Sequence, residues 1–175
     1  MSTWEQALHQ GGRQTKPWIK VLVLTVVLAI LALLVGPNGP LGAFWAPSPE
    51  EPQPMGIQLA LFILLKIAEA LTFGLGISFL IFGYPLVDVV SAASKSLTRA
   101  AYLSIAWLLF SWWPHDSLHI HNGMNLNGLL AIEYGFHVTL MIAGMILAYF
   151  FLTIVRQQTV SARLAETRNS SGYNL

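Results

Sequence analysis

The chain contains no cysteine, and that absence removes disulfides, thiolate metal ligands, iron–sulfur clusters, covalent c-type haem attachment and thiol nucleophiles together. Charge is scarce as well: 10% of residues are Asp, Glu, Lys or Arg, against roughly a quarter in an ordinary soluble domain. Nine basic and eight acidic side chains leave a net charge of +1, so there is no basic surface for nucleic acid. A phosphate-cradling glycine loop and a Ser-His-Asp arrangement within the apolar segments are both missing. Four spans without an inverted repeat argue against a secondary transporter, and the polar residues are too few to line an aqueous channel.

Hydrophobic length is what the sequence has in quantity, with 55% of residues apolar. A helix needs about 20 apolar residues to cross a hydrocarbon core roughly 30 Å thick. Four segments approach that length: 18–35, 55–86, 98–113 and 126–155. The sequence therefore predicts an all-α integral membrane protein, a four-transmembrane-helix bundle forming one domain over 1–158, with 159–175 as a polar, disordered cytoplasmic tail. GPNGP at 36–40 stops the first span and Pro114 stops the third. The second is longer than a crossing requires and is expected to tilt or emerge into the interface.

Lys and Arg placement orients the chain, because cytoplasmic loops carry the excess. Arg13, Lys16 and Lys20 precede the first span, Lys95 and Arg99 separate the second from the third, and Arg156, Arg163 and Arg168 follow the fourth. Both termini are thus expected in the cytoplasm, in a plasma or inner membrane. The His-rich loop would face outward. Ser2 and Glu5 have capping-box spacing and predict a short interfacial helix. Trp45, Trp112 and Trp113 fall at outer boundaries and Trp18, Tyr84 and Tyr102 at inner ones, as interfacial belts require.

The remaining polar residues lie in two places. Within the spans are Lys66, Glu69, Glu133 and His137, each costing about 2.5–3.5 kcal/mol at a helix centre and so expected to have a partner. Between the third and fourth spans is SWWPHDSLHIHNG, holding His115, His119 and His121. Glu133 and His137 are four apart and share a helix face, which Leu140, Met141, Gly144 and Ala148 extend. Small residues at that spacing predict close approach of another helix. At 1.5 Å per residue Glu69 and His137 reach similar depths, about 15–16 Å, with Glu133 at about 9 Å.

His119 and His121 are two apart, which in an extended segment turns both rings to one side, and Asn122-Gly123 is a turn signal. These spacings predict a metal site of His119, His121, Glu133 and His137, with Asp116 or Glu69 completing it. Such nitrogen and oxygen donors suit Zn, Fe or Cu(II). Lys66 is expected behind the ligands, as a charge partner for Glu69 or a proton-handling group. His115 needs no role beyond ending the third span, Met124 is a soft donor without companions, and His9 lies in a polar segment. Haem ranks below a compact ion, because only His137 lies well inside a span.

The functional expectation is a metal-binding integral membrane protein, a redox-type enzyme or the metal-bearing subunit of a membrane complex. The alternative is a non-catalytic accessory or assembly subunit whose buried Glu, His and Lys fix helix register and the choice among other membrane subunits.

Overall fold

A computed structural model describes residues 17–171 apart from 92. The expected interfacial helix at Ser2–Glu5, the cations Arg13 and Lys16, His9 and the last four positions of the tail lie outside these residues. Among the described residues, seven α-helices follow one another: α1 Pro17–Val35, α2 Ile57–Phe82, α3 Tyr84–Val90, α4 Lys95–Phe110, α5 Trp112–Asn122, α6 Leu126–Ile132 and α7 Thr139–Ser171. A 3-10 turn, Gly42–Trp45, sits between α1 and α2, and a π-helical turn, Glu133–Val138, joins α6 to α7. The described residues contain no strand.

Among the described residues, three segments are long and apolar enough to cross a membrane: Trp18–Val35, Ile57–Phe82 and Leu126–Leu164, the last running through the π turn. Their apolar side chains are largely uncovered by the rest of the chain; Leu22, Leu64 and Leu152 are 53%, 64% and 69% exposed. A soluble monomer does not tolerate so continuous an apolar surface, whereas a bilayer accommodates it.

The segment 98–113 is built differently from the sequence expectation. α4 has 16 residues, about 24 Å at 1.5 Å per residue. The chain breaks at Ser111 and α5 begins at Trp112. Pro114 therefore lies in the first turn of a helix instead of ending one, where its missing N–H leaves no intrahelical bond unmade. The second expected span is likewise divided, at Gly83. The tail also differs: α7 stays helical past 158 to Ser171, since SARLAE at 161–166 is rich in helix formers.

The long helices pack side by side in the order α1, α2, α4, α7, with α5 laid across α2 and α4. Each long helix in this row packs chiefly on the next one. Small residues set the first contact. A side chain on Gly74 would meet the Thr25 carbonyl at 2.3 Å, so α1 and α2 approach closely only because glycine is there. Ala29, Ala32, Ala70 and Trp113 form the core of that contact, and Thr25 Oγ1 donates to Ser78 Oγ at 3.1 Å. The second core joins α3, α4 and α7 through Val87, Ala101 and Phe150.

α7 meets α4 through Leu147, Phe150 and Ile154. Gly144 and Ala148, expected against a neighbouring helix, are exposed, and a side chain added at Gly144 would meet nothing within 4 Å. The phase is set just upstream, where Trp107 of α4 stacks on Phe136 at 5.7 Å and its Nε1 donates to Thr139 Oγ1 at 3.0 Å. Fixing Phe136 and Thr139 against α4 turns the Gly144 face away.

Candidate functional site

The His-rich segment is helical, and this decides which imidazoles can meet. His119 and His121 are two apart on α5, so at 3.6 residues per turn they point to nearly opposite sides. The shared face expected of an extended strand does not form. His121 is exposed, and its Nδ1 bonds the Ala46 carbonyl at 2.9 Å, tying α5 to the loop after the 3-10 turn. His115 and His119, four apart, are instead the pair on one face, with ring centroids at 4.6 Å. Gly123 ends α5 with φ 52°, which places the Asn122-Gly123 turn where the sequence puts it and folds the chain back into α6.

That fold-back brings the π turn against α5. The His137 ring lies 4.8 Å from that of His115, and Phe136 packs on His115 at 5.4 Å. Within the turn, Nδ1 of His137 is hydrogen-bonded to Oε2 of Glu133. Two imidazoles, His119 and His137, thus flank His115, with Glu133 attached to His137. His137 and Glu133 are 41% and 49% exposed, so the cluster opens on their side and closes at His115.

His115 is the inner member. Its Nε2 is buried with no hydrogen-bond partner. Burial, followed by the neighbouring rings of His119 and His137, pushes its pKa down to about 4 against the weaker pull of Glu133. The ring is therefore neutral at physiological pH, with a nitrogen lone pair free to accept a proton or an ion. Ser111 and Ser117, on the same stretch of chain, also bury hydroxyl oxygens without partners.

Asp116 and Glu69 are not part of this cluster. Adjacent side chains on a helix diverge by about 100°, so Asp116 leaves α5 toward α2. There it pairs with Nζ of Lys66, which also holds Glu69 Oε2 at 3.2 Å. Lys66 further lies 5.2 Å from the Phe62 ring centre. The three groups form a compact ion cluster bridging α2 and α5, and its cation is engaged by both carboxylates. Met124 is 75% exposed and stands apart from both clusters.

Of the residues singled out in sequence, then, His119, Glu133 and His137 come together, His121 turns away, and Asp116 and Glu69 gather on Lys66. His115 was missed as a member. The signal for it was Pro114, which as a first-turn residue starts a helix and makes His115 and His119 an i,i+4 pair. Among the described residues, no three His or carboxylate groups stand in a geometry that could hold a metal ion as the side chains are set. Compared with known proteins, the chain matches no family model, no curated protein and no solved structure.

Proposed function

We propose that this chain is a multi-pass membrane protein that binds a transition-metal ion, Zn, Cu or Fe, through the imidazoles of His115, His119 and His137. The observation that carries this reading is the spacing of the rings, 4.6 and 4.8 Å on either side of His115. Two imidazoles on one ion, each with a metal–nitrogen distance of about 2.0–2.1 Å, have centroids roughly 4.5–5.5 Å apart. Loading requires the rings to turn so that their nitrogens converge on one point.

Three features support it. The buried Nε2 of His115 lacks a partner, and the ring is neutral, as a ligand must be. Glu133 holds Nδ1 of His137, which leaves Nε2 for the ion, the usual arrangement of a carboxylate behind a metal-binding histidine. Rings this close also leave no room for a haem macrocycle between them. In this reading Glu133 orients a ligand, while Asp116, Glu69 and Lys66 brace α5 against α2. The imidazole cluster by itself does not choose between an oxidoreductase and a metal-bearing subunit, so the proposal is metal binding.

The same reading takes α4 as a fourth crossing, completed at the interface by α5, with both termini cytoplasmic. The cations Lys20, Lys95, Arg99, Arg156 and Arg163 lie toward one set of helix ends, and the loops at 36–56 and 114–125 carry none. The His cluster then opens toward the extracytoplasmic side of a plasma or inner membrane.

A second reading, an accessory or assembly subunit without metal, is favoured by the ion cluster and by the Thr25–Ser78 and Trp107–Thr139 bonds. These satisfy intramembrane polar groups within the chain and fix helix register. Metal content per chain after purification in mild detergent separates the two. About one ion in the wild type, lost in His137→Ala with helicity kept, supports the metal reading; a folded, metal-free wild type supports the accessory one.

A further inference from the structure

A cavity of about 360 Å³ lies in the crevice between α1 and α2, walled by Leu33, Phe62, Ile63, Lys66, Ile67 and Trp113 among others. Its size falls in the range of pockets that hold small organic molecules. A second cavity of about 270 Å³ shares Phe62 and Ile63 with it and runs beneath the Pro-rich loop, so the two make one groove along α2.

Four observations restrict the occupant. Leu33, Ile63 and Ile67 are exposed on the outer faces of α1 and α2, so entry is sideways from the bilayer and the ligand is lipid-soluble. Phe62 and Trp113 give the walls aromatic surface, with Trp113 backed by Phe73 at 4.9 Å, which suits a flat ring. The Lys66 ammonium has three donors. Glu69 and Asp116 take two, and the third has no acceptor among the described residues while Lys66 lines the cavity. Finally, the Lys66 charge is already matched by Glu69 and Asp116 behind the wall, so no net positive charge is left for an anionic headgroup and a neutral acceptor oxygen fits best.

We propose that the crevice binds a quinone-class molecule. Its neutral ring lies against Phe62 and Trp113, one carbonyl accepts the third N–H of Lys66, and its alkyl tail leaves between α1 and α2 into lipid. This site is independent of the imidazole cluster and involves only binding.

The test uses the full chain in phosphatidylcholine vesicles, titrated with a decyl-substituted ubiquinone while tryptophan fluorescence is followed. Saturable quenching at one site per chain is expected above the linear slope that partitioning alone produces. Trp113→Phe removes the saturable part. Leu33→Phe/Ile63→Phe, which fills the crevice from both walls, raises the half-saturating concentration at least tenfold with unchanged circular dichroism. If the pair fails to fold, Ile63→Phe alone, at an exposed position, gives the same readout with a smaller rise. Purely linear quenching of the wild type, saturation unaltered by the filled crevice, or displacement by decylbenzene, which has the tail and ring without carbonyls, overturns the proposal.

Discussion

The rings of His115 and His137 stand 4.8 Å apart, one carried by α5 and the other by the π turn that follows the next short helix. The approach depends on α5 being a helix that ends at Gly123 and on the π turn holding Phe136 against both Trp107 and His115. π turns recur at functional positions because the extra residue re-aims side chains. Here the turn presents His137 to α5 while Thr139, the first residue of α7, takes the Trp107 hydrogen bond from α4.

Glu133→Gln tests the orienting role of the carboxylate. Removing the charge behind His137 is expected to weaken metal binding by about 10–100-fold without abolishing it. Isothermal titration with Zn²⁺ in detergent checks this. An affinity equal to the wild type would remove Glu133 from the site.

Stability should depend on pH through His115. Its folded pKa of about 4 lies below the ordinary value of 6.5, so between these values the unfolded chain binds a proton that the folded chain does not. Stability therefore rises with pH from about 4 to about 6.5 and is flat, for this group, outside that window. Thermal unfolding across the range should show the slope, and His115→Phe should reduce it.

Asp116→Ala leaves Lys66 with Glu69 alone and uncouples α5 from α2. The expected loss is about 1–3 kcal/mol, the usual cost of depriving a largely buried polar group of a partner. The loss should shrink in a Lys66→Met background, where no cation is left waiting. Thermal unfolding of the single and double variants measures the coupling.

Orientation can be read with single cysteines, since the chain has none. Met124→Cys, at an exposed position in the loop before α6, should react with a membrane-impermeant maleimide in intact cells. Ser96→Cys, exposed in the first turn of α4, should react only after the membrane is opened. The reverse pattern would invert the topology.

Much of the fold was legible because a crossing helix has a length threshold: α1, α2 and the α6–α7 segment announce themselves by long, predominantly apolar runs. The breaks at Gly83 and Ser111 were not, because apolar composition continues across them and only packing fixes where the helix stops. The Glu133–His137 pair and its contact with the loop followed from spacing and chain reversal. The partners within α5 did not, since a period of 2 and a period of 3.6 choose different histidines, and the segment was too polar to reveal its helix. Gly144 and Ala148 misled for a related reason: small residues permit close approach but do not compel it, and Phe136 and Thr139 had already set the phase of α7.

Cobalt(II) titration of the purified protein decides whether the imidazole cluster binds metal, because its visible absorption reports the ligand geometry and each histidine can be removed in turn. A saturating band at about one ion per chain is expected, lost in His115→Ala and unchanged in His121→Ala. No band in the wild type, or a band that His121→Ala removes and His115→Ala spares, would contradict it.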